Sequence, residues 1–108
     1  MSRPILPAEA AIFSALGDPN RLALIERLLR VGPSSIVALT GDSGLTRQAV
    51  TKHLKVLETA GLLRCQRVGR ATLWQIDRRT LGEARICLAR ISQQWDERLD
   101  RLRQKVES

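Results

Sequence analysis

Thr46-Arg47-Gln48-Ala49-Val50-Thr51-Lys52-His53-Leu54-Lys55-Val56-Leu57-Glu58-Thr59-Ala60-Gly61 is the stretch on which the reading of this chain turns. Thr46 is an N-cap residue and Gly61 a natural left-handed stop, so a helix is expected over 46–60. At about 100° per residue, Val50, Leu54 and Leu57 fall within about 60° of one another and form a buried stripe. Gln48, Thr51, Lys52 and Lys55 fall within about 100° on the other side. That band carries amide, hydroxyl and ammonium groups and no carboxylate, so it suits a phosphate-lined groove. Thr46 and Arg47 stand at its leading end. His53 sits at the edge of the buried stripe, next to Thr46, Val50 and Leu57, where a half-buried imidazole satisfied by backbone or by phosphate is expected.

Upstream, Ala8, Ala11, Ile12, Ala15 and Leu16 make a short helical stripe that Gly17 ends. Asp18-Pro19 then starts a second helix, with Asp as cap and Pro at the first helical position, running to about Val31 before Gly32-Pro33. Leu22, Ile25, Leu28 and Leu29 are read as its buried face, with Leu24 beside them; Arg21, Arg27 and Arg30 are read as lying away from the core. Ser34 or Ser35 caps a third helix from Ile36 to about Gly41. Asp42-Ser43-Gly44 is turn chemistry of the kind that joins two tightly angled helices.

Downstream, Leu63 to Val68 and Ala71 to Ile76 are two short extended runs around a glycine turn, a hairpin over 63–76. Arg64, Arg67, Arg70, Arg78 and Arg79 cluster around it, and contact with a nucleic-acid backbone is the expected role of Arg64, Arg67 and Arg70. From Thr80 to the end, Leu81, Ala84, Leu88, Ile91, Trp95, Leu99, Leu102 and Val106 recur every three or four residues. At about 1.5 Å per residue that helix reaches about 40 Å, more than a domain of this size needs for its own core. Residues 80–108 are therefore expected to pair with a second copy through Leu88, Ile91, Trp95, Leu99 and Leu102, together with Ile12 and Leu16 of the first helix.

The 108 residues carry 18 Lys+Arg against 11 Asp+Glu, a formal charge of +7 that is concentrated in the helix over 46–60 and the hairpin after it. A polyanionic partner is expected for that region and a solvated, mixed-charge helix for the C-terminal part. One domain over 1–108 with one modest core is what the length supports. The apolar runs are too short to cross a bilayer, and the N-terminus shows no export signal, so a cytoplasmic, nucleoid-associated protein with no membrane partner is expected.

The order of four helices, a hairpin and a fifth helix describes a winged helix-turn-helix: mainly α with a small β-hairpin. Ala15-Leu16-Gly17-Asp18-Pro19-Asn20-Arg21-Leu22 with Ile25 and Leu28, then Thr46 to Leu57 and Ala60-Gly61-Leu62, resemble the ArsR/SmtB family of bacterial repressors. The resemblance covers about residues 8–80. It implies a homodimer bound to double-stranded DNA, with the fourth helix in the major groove and the hairpin as a wing. The tail Ile91-Ser92-Gln93-Gln94-Trp95-Asp96-Glu97-Arg98-Leu99 further resembles a subgroup without a known metal requirement.

Metal-sensing members of that family carry Cys-x-Cys near the third helix or paired His and carboxylate ligands on the last. Here Ile36-Val37-Ala38-Leu39-Thr40-Gly41 offers no soft ligand, and the last helix has Glu83, Cys87, Asp96 and Asp100 but no His. No metal site and no cofactor are expected. Cys65 and Cys87 are expected to be packing residues, with a thiol sensor as the alternative. Trp74 and Trp95 are read as core and interface anchors. No phosphate-binding glycine loop and no Ser/His/Asp set is present, so no catalytic residue is assigned and an enzyme is not expected. The expectation is a homodimeric repressor reading a palindromic operator with helix 46–60 and wing 63–76. The alternatives are a winged-helix interaction module without DNA binding and a thiol-based redox-sensing repressor.

Overall fold

The computed structural model describes residues 3–107; Met1 and Ser2 of the N-terminus and Ser108 of the expected 80–108 helix lie outside them. The elements are α1 (Pro7–Leu16), α2 (Pro19–Val31), α3 (Ile36–Ser43), α4 (Arg47–Thr59), β1 (Leu63–Val68), β2 (Ala71–Ile76) and α5 (Arg78–Glu107). This is the winged helix-turn-helix order that the sequence predicts.

Local capping sets most of the boundaries. Asp18 accepts from the amides of Asn20 and Arg21 at 2.9 and 3.1 Å, Ser35 from Ala38 at 3.2 Å and Thr46 from Ala49 at 3.1 Å. Each cap satisfies amides that a helix start leaves without a partner. The fourth helix is one residue shorter at each end than expected, and two other boundaries depart by two residues. The third helix runs past Gly41 to Ser43, where the Ser43 hydroxyl donates to the Thr40 carbonyl and Gly44 closes the end at φ 71°. The last helix starts at Arg78 rather than Thr80, because the Asp77 carboxylate accepts from the amides of Arg79 and Thr80.

The core gathers Ile12 and Ala15 of α1, Leu24, Ile25 and Leu28 of α2, Leu39 of α3, Val50, Leu54 and Leu57 of α4, with Leu62, Leu63, Trp74 and Ala84. Ile12, expected at an intersubunit face, is 4% exposed inside its own chain, so that assignment is corrected. The face expected of α2 is also rotated. Leu22 and Leu29 are exposed while Leu24 is buried. Arg21 turns towards the core side, where its Nε donates to the Ala15 carbonyl at 2.6 Å. Arg27 is likewise not solvated, since it pairs with Asp42 of α3 and only 15% of its side chain is exposed. Both arginines occupy interhelix seams that apolar periodicity alone does not mark.

β1 and β2 pair antiparallel from Leu63↔Ile76 to Val68↔Ala71. Gly69 has φ 62° and Arg70 a negative φ, the pattern of a type II′ hairpin turn, which glycine enters without strain. Ser34, in the α2–α3 link, pairs with Trp74 as an isolated bridge and so ties the hairpin to the helical body. Beyond Arg90, α5 leaves the body, and the molecule is 67 Å long but only 25 × 22 Å across.

Candidate nucleic-acid interface

α4 is seated by its apolar stripe: Val50, Leu54 and Leu57 are each 0% exposed, which fixes the opposite band outward. Arg47, Gln48 and Lys52 are exposed and Thr51 is half-buried. The Thr51 hydroxyl donates to the Arg47 carbonyl at 2.8 Å, leaving its lone pairs to accept from outside. Thr46 is exposed, and its oxygen is engaged in the cap. The outward surface of the first two turns is thus a cation, an amide, a hydroxyl and a second cation, without a carboxylate.

Lys55 stands further along the same side, at the edge of this surface. Its Nζ lies 3.4 Å from Glu58 and 5.9 Å from the centroid of the Trp74 ring, a cation–π arrangement over the hairpin. His53 is not on the outward band. Only 18% of its side chain is exposed, and its Nδ1 faces Asp18 at 4.0 Å. Asp18 is a small hub. It caps α2, stands 4.0 Å from the Arg21 guanidinium and receives His53 of α4. The Arg21 and Asn20 amides, together with the nearby Arg21 and His53 side chains, hold the Asp18 carboxyl below the usual carboxylate range. The sequence marks Asp18 as a cap but gives no local sign that His53 meets it.

The wing carries its arginines on different faces. In the strand register Arg67 lies on the side of Cys65 and Leu63, and Arg64 on the opposite side with Gln66. Arg70 stands in the turn. All three are exposed, but Arg64 Nε lies 3.5 Å from the Asp77 carboxylate at the hairpin root. Gln75 donates to Gln66 across the strands at 3.0 Å. Arg78 and Arg79, counted with the hairpin in the sequence, belong to the first turn of α5, and Arg79 pairs with Glu83 at 3.8 Å.

A second polar cluster lies away from this surface and carries no signal in the sequence. Glu9 accepts two hydrogen bonds from Arg3 at 2.9 and 3.0 Å and one from the Leu6 amide at 2.9 Å, and Arg90 of α5 approaches it at 3.4 Å. The Arg3 hydrogen bonds, then the Leu6 amide, lower the Glu9 carboxyl from its ordinary 4.5 to about 2. Arg90 also donates to the Cys87 sulfur at 3.7 Å, and Cys87 is buried while Cys65 is exposed. Among the described residues, no group of three or more His, Cys, Asp or Glu side chains gathers as metal ligands. No described helix is long and apolar enough to cross a membrane.

No family model matches the chain. Known proteins do. The HTH-type transcriptional regulator Rv2034 of Mycobacterium tuberculosis is 35% identical over 96 residues, covering 89% of this chain and 86% of the relative. The SmtB transcriptional repressor of the same organism is 31% identical over 74 residues, 68% of this chain and 54% of that protein. Among solved structures, an ArsR-like transcriptional regulator from Rhodococcus sp. RHA1 superposes with a TM-score of 0.80 at 32% identity, covering 90% of this chain and 91% of the other. With this extent of sequence identity and of structural superposition, the chain belongs to the ArsR/SmtB family of winged helix-turn-helix transcriptional regulators.

Proposed function

We propose that the protein is a homodimeric repressor that binds an imperfect palindrome by placing two copies of α4 in successive major grooves. The observation that carries this reading is the outward band Arg47, Gln48, Thr51 and Lys52, free of carboxylates and held on a helix whose other side is fully buried. Gln48 has the amide geometry for a bidentate contact with adenine, and Lys52 can address guanine. Arg67 and Arg70 add phosphate or minor-groove contacts from the wing, while Arg64, drawn towards Asp77, serves at its root. His53 contributes through Asp18 by orienting α4.

Two reading helices need a partner copy, and α5 supplies the surface for one. Leu88, Ile91, Trp95, Leu99 and Leu102 are between 36% and 60% exposed along one side of a helix that outruns the body. Burying such a stripe against its symmetry mate removes apolar area from water that no element of the same chain covers. Leu16, half-buried on α1 and packed against the core, would add its exposed part to that face. The chain then acts as one domain with a C-terminal dimerisation helix. It works in the cytoplasm on the nucleoid, without catalysis, and represses by occupying promoter DNA.

Selection of bound duplexes from a random pool tests this directly. A palindrome with half-sites about one helical turn apart is expected. Recovery of no enriched sequence, with no retardation of duplex at low salt and micromolar protein, would leave a scaffold module instead.

A further inference from the structure

A groove of about 520 Å³ opens between the end of α2, the second half of β2 and the first two turns of α5, away from the outward face of α4. Its volume falls in the range of small-molecule sites. Leu28 and Leu29 of α2, Ile76 of β2 and Leu81 of α5 give it an apolar lining, and Leu29 is 60% exposed there. Gln75 is its neutral polar group. The charged side chains of the lining are two arginines, Arg78 and Arg85, and it contains no carboxylate.

Two features set this groove apart from an ordinary surface dip. Arg78 and Arg85 are seven residues apart and so lie on one side of α5, with Leu81 and Gly82 between them. Neither arginine has an ion-pair partner among the described residues, although Arg64, Arg79 and Arg90 nearby in the chain all have one. Gly82 is the second feature. Glycine in a helix interior is among the least favourable choices for helix stability, and close packing is the usual reason to find it there. Here a Cβ on Gly82 would meet nothing within 4 Å, so no part of this chain requires the missing side chain. The α5 wall therefore reads cation, apolar notch, cation.

We propose that this groove binds a small organic acid with an apolar body, the body lying over Leu81 in the notch at Gly82 and the acidic head on Arg78 or Arg85. Arginine's planar fork suits a carboxylate, and an uncharged ligand of the same shape leaves both cations uncompensated. Because the groove lies at the root of the wing and touches the end of α2, occupation adjusts the hairpin against the helical body. That last consequence rests on the DNA-binding reading above; the site itself does not.

The test uses the full chain, isotope-labelled, titrated with decanoate below its micelle concentration, with decanol and acetate as controls. Saturable shifts at the amides of Gly32, Ile76, Leu81 and Gly82 are expected, with decanol binding about tenfold more weakly and acetate not at all. Gly82→Leu fills the notch and should abolish the shifts while the helical circular dichroism is kept. Should that variant not fold, Arg78→Ala/Arg85→Ala should weaken decanoate about tenfold or more without altering the apolar lining. Shifts centred on the exposed stripe beyond Trp95, or equal affinity for decanol, overturn the proposal. So does a double-arginine variant that loses affinity for random duplex in the absence of any acid, since those cations would then belong to phosphate. A protein that binds decanoate in the groove but retards no duplex refutes the repressor reading and leaves the site standing.

Discussion

Ser34 and Trp74 exchange both of their backbone hydrogen bonds, Ser34 donating to the Trp74 carbonyl at 3.0 Å and Trp74 to the Ser34 carbonyl at 2.8 Å. The α2–α3 link thereby becomes a one-residue third strand on the hairpin. Ser34 is itself buried, and its hydroxyl donates to the Gly32 carbonyl at 2.9 Å. The indole of Trp74 is buried at the same place, so this tryptophan and one residue of backbone join Leu63 and Ile76 in holding the wing to the body.

Trp74→Ala should therefore cost about 3–5 kcal/mol of unfolding free energy, as removal of a buried aromatic does. Ser34→Ala, which keeps the backbone pair and removes the hydroxyl bond, should cost only about 1 kcal/mol. Urea unfolding of both variants checks the ratio. Equal losses would mean that the Ser34 hydroxyl anchors the hairpin as much as the indole does.

The division of labour on DNA predicts two different kinds of weakening. Gln48→Ala should cost on the order of 1–3 kcal/mol on the selected operator and relax choice at one position per half-site. Arg70→Ala should weaken all duplexes alike and flatten the salt dependence by about one unit for each phosphate left without its arginine. Binding isotherms over a series of salt concentrations separate them. If Gln48→Ala lowers affinity for operator and random duplex equally, base reading lies elsewhere on α4.

Leu99→Arg places a charge in the middle of the exposed α5 stripe and should shift the protein to monomer, with operator affinity falling in parallel. Leu99 contributes nothing to the core, so the monomer should keep its fold. Sedimentation together with circular dichroism reads both. A variant that sediments as a tight dimer rejects this face.

Glu9 links stability to pH. Its folded pKa is depressed, so its contribution is present above the ordinary value of 4.5 and is lost as pH falls towards about 2. Glu9→Gln should lower Tm at pH 7, and the gap from the unaltered chain should close across that acid window. Because the Arg3 side chain is 48% exposed, the gap should also shrink with salt. A gap that stays constant from neutral pH through the acid window would place the effect on packing instead of charge.

The features legible in the chain itself are those that depend on neighbours in sequence. The stripe Val50, Leu54 and Leu57, and the caps Asp18, Ser35 and Thr46, involve residues a turn or less apart. The glycine turn at Gly69 is equally local. The readings that moved depend on partners remote in sequence or on another element. Arg21 turns to the core side because the end of α1 presents the Ala15 carbonyl to it, and Leu22 and Leu29 stand exposed where the apolar spacing put them inside. His53 leaves the DNA-facing set because Asp18, far away along the chain, is opposite it. Ile12 is a core residue because α1 lies against α4 and α5, a choice that apolar spacing cannot make between two equally apolar destinations. The cap at Asp77 shows that Arg78 and Arg79, grouped with the hairpin by their position in the sequence, are helix and not wing.

The segment 18–21 has a bearing on how such a molecule would measure its target. Arg21 closes the end of α1, Asp18 opens α2, and His53 of α4 stands 4.0 Å from the same carboxylate, so three helices meet within one turn of chain. In the proposed dimer α1 lies near the pairing face and α4 near the DNA. The angle between them is held at this pivot, while the longer link between α2 and α4 has only to follow. In that dimer the span between two half-sites would depend on the geometry of this junction. Loosening that carboxylate would free the orientation of each reading helix, and with it the distance between the two.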